Sequence, residues 1–215
     1  MFKVDLHTHS SASPDGGITP DQYRRVLDTN TLDAVAITDH NTIDLALGLH
    51  NELGDRIIVG EEIMTDRGEI IGLYLSKLVP AGLSPQDTVK QIKDQGGLVY
   101  IPHPFETYRK GLGPQSLDEI IDYVDIMEVC NGRAFMQNRS SQTVVWARFN
   151  NKVGAASSDA HGLRGLGTTY NDLADMPTRD NLVALLDMAV LRTGRPSVRA
   201  LLYPKYHRLR KRVGR

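Results

Sequence analysis

The sequence predicts an α/β protein built on a mainly parallel sheet. Short apolar runs rich in β-branched residues recur along the chain, and stretches with helical spacing lie between most of them. Strands that alternate with helices in this way form βαβ units. In addition, five of the seven histidines fall at the last residues of predicted strands. Ligand groups of parallel α/β folds gather at that end of the sheet.

The predicted strands, in order, are FKVDLHTH (2–9), AVAITDH (34–40), RIIVGEEI (56–63), EIIGLYL (69–75), GLVYIPHP (97–104), DIMEVCNG (125–132) and VGAASSDAH (153–161). The first helix follows Thr19, an N-cap with Pro20 at the first helical position and Gln22 three residues after the cap. Ser84, Pro85 and Asp87 repeat this device, and Gly96-Gly97 ends that helix. SLDEIIDYVD, SSQTVVWARFNN and TRDNLVALLDMAV also carry helical spacing, and Trp146 and Phe149 sit on theirs as expected core residues. The link between the third and fourth strands, TDRG, is too short for a helix and predicts an antiparallel pair. Seven strands allow either an open doubly wound sheet or a closed barrel.

With 215 residues the chain can bury one sizeable core, and no linker or internal repeat divides it. One domain over 1–200 and a basic tail over 201–215 are expected. The formal net charge of −1 selects no partner. The one cysteine, Cys130, excludes an internal disulfide and fits a reducing compartment. No apolar run approaches membrane-spanning length, so the expectation is a soluble cytoplasmic protein that uses no membrane. The tail carries Lys205, Arg208, Arg210, Lys211, Arg212 and Arg215 with no acid. Such a run reads as a frayed, solvated end, or as an electrostatic handle for nucleic acid.

His7, His9, His40, His103 and His161 all end strands. Side chains alternate along a strand, so His7 and His9 share a face, with Asp5 expected below them. Asp159 and His161 share a face in SSDAH, and Glu62 lies at the same stage of its strand. Glu69 begins the antiparallel strand and therefore reaches the same end of the sheet. Asp39 points away from His40 and is expected to brace the loop. Imidazole nitrogen mixed with carboxylate oxygen is what divalent metals bind. So many donors exceed the needs of one ion and imply two or three ions sharing a carboxylate.

DLHTHS, ITDH, GEEI, IPHP and SSDAH, in this order, resemble the motifs of the PHP family, named for polymerase and histidinol phosphatase. The resemblance covers nearly the whole chain, with MEVCNGR as a further match. It implies a distorted (β/α)7 barrel, a trinuclear metal site and hydrolysis of phosphate esters. It also implies that His7 and His9 hold one metal with Glu62 and Asp159. Glu62 bridges to a second metal, which His103 and Glu69 also face, and Asp15, His40 and His161 hold a third. Zinc, manganese or iron suits such a set.

The expected activity is therefore metal-dependent phosphoesterase chemistry. A metal-activated hydroxide attacks phosphorus, and Asp159 and His161 handle protons. Arg109, Arg133 and Arg164 follow the fifth, sixth and seventh strands and are expected to clamp the phosphate of a small-molecule or nucleotide ester. Glu128 is a candidate to support the ligands from behind. Two other readings stand beside this one. One is hydrolysis of C–N or carboxylic ester bonds; the other is a non-catalytic module for nucleic acid or a polymerase. On the sequence reading, removing the residues after Tyr206 leaves hydrolysis of small phosphate esters nearly unchanged.

Overall fold

The computed structural model describes residues 1–134 and 137–213; Phe135, Met136, Gly214 and the tail residue Arg215 lie outside them. Among the described residues, nine strands form one sheet: β1 Phe2–Thr8, β2 Ala34–Ile37, β3 Ile57–Met64, β4 Glu69–Leu73, β5 Leu98–Ile101, β6 Ile126–Asn131, β7 Val153–Ser157, β8 Tyr170–Leu173 and β9 Val190–Arg192. Seven helices accompany them: α1 Pro20–Asp28, α2 Asp44–Leu53, α3 Pro85–Asp94, α4 Pro114–Ile120, α5 Ser140–Phe149, α6 Leu182–Asp187 and α7 Val198–Val213. The strand order is β7-β6-β5-β4-β3-β2-β1-β8-β9. The pairs β1–β2, β2–β3, β5–β6 and β6–β7 are parallel, whereas β4 runs antiparallel to both neighbours. The short TDRG link thus produces the expected reversal.

The sheet curls into a nearly closed barrel. Its β7 edge comes round to β1, where Thr8 bridges Ala160 and the His9 N–H donates to the Ala160 carbonyl at 2.8 Å. Lower down, one side chain replaces the missing ladder. Buried Asn171 of β8 donates to the carbonyls of Val4 at 3.0 Å and Ala156 at 2.8 Å, and accepts from the Ala156 N–H at 2.9 Å. Strands β8 and β9 are additions to the seven predicted ones. The sequence YNDL lacks an apolar run because its inward residue does polar work.

Local chemistry accounts for the helix starts. Thr19 forms a complete capping box with Gln22, and the Ser84 hydroxyl accepts from the Asp87 N–H. Alternate strand residues then divide between two cores. Val35, Ile37, Val59, Val99 and Met127 pack under the helices, whereas Ala34, Ala36, Ile58, Ile71 and Tyr100 line the inside with Leu182 and Leu186 of α6. Phe149 departs from its expected core position and is 85% exposed at the end of α5. Trp146, three residues earlier, is half-buried and packs against the core under the helices, so the shared spacing holds for one residue of the pair and not for the last residue of the helix.

The alternation breaks once in β1. Asp5 pairs with Val35 but Thr8 pairs with Ile37, so β1 holds one extra residue there. Val35 and Ile37 both belong to the core under the helices. Asp5 therefore faces that side, not the side of His7 and His9 as simple alternation predicts. The bulge re-aims His7 inward beside His9.

The tail also differs from expectation. Residues 198–213 form α7, a docked helix and not a frayed end. A charge count restricted to the tail finds no acid, because the acid that receives α7 is Asp15, 193 residues earlier. No helix among the described residues is long and apolar enough to cross a membrane.

Candidate metal centre

The C-terminal rim of the barrel is assembled from six strands and one loop. His7 and His9 come from the end of β1, and Asp15 from the loop that follows. His40 follows β2, Glu62 lies in β3, and Glu69 opens β4. His103 follows β5, and Asp159 and His161 follow β7. All nine converge. Eight are buried and His40 is half-buried. Two of them hold left-handed backbone, His103 at φ 29° and Asp159 at φ 51°. Non-glycine residues adopt this region rarely and at a cost, and it is met most often at functional sites.

Glu62 is the hub. One oxygen lies 3.0 Å from His103 Nε2; the other lies 3.2 Å from His9 Nε2, 3.2 Å from His40 Nδ1 and 3.5 Å from His7 Nε2. Asp159 Oδ1 lies 3.5 Å from His9 Nε2 and 3.3 Å from His161 Nδ1. Asp15 Oδ2 faces His161 Nε2 at 3.4 Å and His40 Nε2 at 3.6 Å. Glu69 sits farther out, 3.7 Å from His40 and 3.8 Å from His103. These atoms define four overlapping groups: His9, Asp15, His40 and His161; His7, Glu62 and His103; His7, His9 and Asp159; and His40, Glu62 and Glu69.

A test on the tautomers shows that the set fits metal. Glu128 Oε1 lies 3.0 Å from His7 Nδ1, and a carboxylate there takes the Nδ1 proton. The lone pair of His7 Nε2 then points into the cluster. It meets His9 Nε2 at 3.1 Å and the oxygens of Glu62 and Asp159. Acceptors aimed at one another repel unless a proton or a metal cation lies between them, and although burial opposes charge on His7, Glu62, Asp159 and Glu128 raise it well above its ordinary range, so the cluster draws positive charge to this point.

The electrostatics agree. Burial opposes charge on Glu62, but His7 and His40 outweigh it and hold the carboxyl well below its usual range. Burial likewise opposes ionisation of Asp159, and Arg133 and His7 overcome it. Asp15 is held low against its burial by His161 and His40. Burial opposes charge on His40, but Glu62, Asp15 and Glu69 together outweigh it and lift the imidazole to about 9. Burial, with His9 and Arg133, lowers His161 to about 3. Glu69 is pushed up to about 9 by burial and by the Glu62 charge.

Behind the cluster lies a supporting layer. Glu128 accepts from the His103 N–H at 2.6 Å, the Tyr100 hydroxyl at 3.0 Å and the Asn131 amide at 2.8 Å as it orients His7. Asp39 accepts from the Ser10 N–H at 2.6 Å and from the Ser10 hydroxyl, so it braces the loop after β1. Asp5 accepts from the Ser158 N–H at 3.0 Å and joins β1 to the loop of Asp159. Its carboxyl is raised to about 7 by burial.

The three expected clamps are placed differently from one another. Arg109 spends four of its five N–H donors on protein: two on Glu106, one on Asn131 and one on Asp159. Arg133 reaches both Asp159 oxygens at 3.3 Å. Arg164 is exposed on the loop after β7. Sequence reasoning overlooked Arg208 and Lys211 of α7, which reach the Asp15 loop. Only the basic charge of the tail signalled them.

A nearly closed α/β barrel with imidazoles and carboxylates crowded at its C-terminal rim is the fold seen in proteins of the PHP type. The barrel matches a two-domain protein from Bacteroides vulgatus described as containing a predicted PHP-like metal-dependent phosphoesterase. The TM-score is 0.69 at 19% identity, over 96% of this chain and 69% of that one. It also matches the lesion-specific endonuclease EndoQ of Pyrococcus furiosus, with a TM-score of 0.61 at 14% identity, over 88% of this chain and 57% of that one. No family model matches the sequence. In sequence, the chain is 36% identical over 157 residues to the uncharacterized protein MJ1587 of Methanocaldococcus jannaschii, covering 67% of this chain and 92% of that protein. The chain belongs to one family with that protein, and its fold is the PHP fold.

Proposed function

We propose that this chain is a metal-dependent phosphoesterase that hydrolyses small phosphate esters at a site of two to three divalent ions. The observation that carries the proposal is the convergence of five imidazoles and four carboxylates into four overlapping donor groups at the rim of a barrel of the PHP type. Bound divalent cations supply Lewis-acid polarisation of phosphoryl oxygen and a lowered pKa for water. The chain's own residues do the rest. His7, His9, Glu62 and Asp159 hold one position, Glu62, His103 and Glu69 the next, and Asp15, His40 and His161 the third. Proton transfer is assigned to Asp159 Oδ1 and His161 Nδ1, which lie 3.3 Å apart. Arg133 lies against Asp159 and its charge faces the same rim.

The test is a panel of phosphate monoesters, phosphate diesters, carboxylic esters and amides, offered to zinc-, manganese- and iron-loaded protein. Turnover of phosphate esters is expected. Turnover of the carbonyl substrates alone would overturn the proposal. A second reading takes the phosphate of a nucleic acid as the target. It is favoured by Lys205, Arg210 and Arg212, which stand exposed on α7. Oligonucleotide binding that weakens steeply with salt would support it.

A further inference from the structure

The helix α7 is seated on the rim by shape as well as by charge. A Cβ on Gly17 would stand 2.1 Å from the His207 ring, and a Cβ on Gly162 would stand 2.5 Å from the Tyr203 ring. His207 and Tyr203 of α7 thus fill places that only glycine leaves open. Gly17 lies in the loop after β1, and Gly162 directly follows His161 after β7. The helix therefore spans the two loops that carry Asp15 and His161.

Two cations on α7 then reach inward. Lys211 donates to the carbonyls of Ser11 at 2.8 Å, Gly16 at 2.9 Å and Ser13, so all three ammonium donors tie down the loop of Asp15. Arg208 Nη2 lies 2.6 Å from Asp15 Oδ2, while its side chain remains 58% exposed. That same oxygen faces His40 and His161. The guanidinium and a cation among Asp15, His40 and His161 therefore compete for one acceptor. With the cation in place, two positive groups stand side by side at the rim. An anion between them removes the conflict, and the planar fork of arginine suits phosphate oxygens. Arg109 is committed to Glu106, Asn131 and Asp159, so it is less free to turn to a substrate.

We propose that α7 is a wall of the active site, that Arg208 binds the phosphate of a monoester substrate, and that Lys211 is a positioning residue for the Asp15 loop. This rests on the phosphoesterase reading above. The dianion of a monoester is the substrate class that best answers a guanidinium facing a cation site. A polymeric diester carries one charge per phosphate and must also pass the helix.

The experiment compares full-length wild-type protein with Arg208→Ala, Arg208→Lys and Lys211→Ala, with Arg199→Ala on the exposed start of α7 as control. Manganese-loaded proteins are measured for inorganic phosphate affinity by calorimetry, for metal content by elemental analysis, and for kcat and KM on p-nitrophenyl phosphate. Arg208→Ala is expected to weaken phosphate binding and raise KM by roughly tenfold or more, the size of a lost charge-assisted contact. Its metal content should stay full, Arg208→Lys should recover part of the loss, and Arg199→Ala should match wild type. Lys211→Ala is expected to lower the metal content. Unchanged phosphate affinity in Arg208→Ala overturns the assignment, including the case where turnover rises because a block has been removed. Loss of metal from Arg208→Ala also overturns it, because the contact would then serve the loop. Full metal content in Lys211→Ala overturns the positioning role. If wild type binds phosphate but hydrolyses no ester, the phosphoesterase reading fails while the calorimetric comparison still decides the role of Arg208.

Discussion

Glu62→Gln isolates charge from shape at the hub of the site. The carboxylate has four imidazole nitrogens within 3.5 Å. At an effective dielectric of about 20, one unit of positive charge about 3.2 Å from a carboxylate oxygen is held by about 5 kcal/mol. The neutral amide forfeits most of that attraction and turns a donor toward whatever cation the imidazoles hold. A little over half of that attraction, about 2.7 kcal/mol, is already a factor of about 100 in an equilibrium. The variant should therefore lose at least one metal ion by elemental analysis and at least about a hundredfold in turnover of a small phosphate ester. Its circular dichroism should stay native, because the residue lies at the rim. Glu61→Gln is the control. Glu61 is equally buried but turns its Oε2 to the Val79 N–H at 2.9 Å, away from the cluster. Full metal and full turnover in Glu62→Gln, with loss of both in Glu61→Gln, would refute the placement of the site on β3.

Further outcomes follow from the residues around the hub. Glu128→Gln leaves His7 at best a neutral amide oxygen and sets an NH2 against other donors, the His103 N–H and the Asn131 amide, so metal affinity should fall by roughly 10–100-fold; an unchanged titration with manganese would contradict the supporting role of this carboxylate. Asn171→Ala removes three buried hydrogen bonds between β1 and β7 and should cost about 3 kcal/mol or more in urea unfolding, whereas a change under about 0.5 kcal/mol would show that the closure does not depend on this amide. Gly17→Ala places a methyl group against the His207 ring and should free α7, seen as faster tryptic cleavage after Arg208 and Arg210; unaltered cleavage would show that the helix is not seated there.

Most of the site was legible in the sequence because its residues lie at strand ends, where chain position and spatial position coincide. His7, His9, His40, His103 and His161 needed only the recognition of strands. The antiparallel β4 was legible from a link too short for a helix. What escaped was long-range or context-bound. Asp5 faces the other side because one bulge shifts the alternation, and no local signal marks that bulge. Strand β8 was missed because its buried asparagine looks like loop composition until the Val4 and Ala156 carbonyls are placed beside it. The tail looked solvated because its partners, Asp15 and the Ser11–Gly16 carbonyls, lie near the other end of the sequence. Trp146 and Phe149 share a helical spacing, but spacing alone does not say where the cover ends, and only Trp146 reaches the core.

The amide of Asn171 gives the barrel a seam. Elsewhere neighbouring strands are joined by backbone ladders, but β1 and β7 meet through the side chains of Asn171 and Asp5 and a short bridge at the rim. His7 and His9 stand on one side of this join, and Asp159 and His161 on the other. An ion shared by His9 and Asp159 would act as a rivet across it. By linkage, any ligand that binds only the closed barrel adds its binding free energy to closure. Loading the site and shutting the seam are then one equilibrium, and amide exchange at His9 and Ser158 would report the occupancy of the metal site.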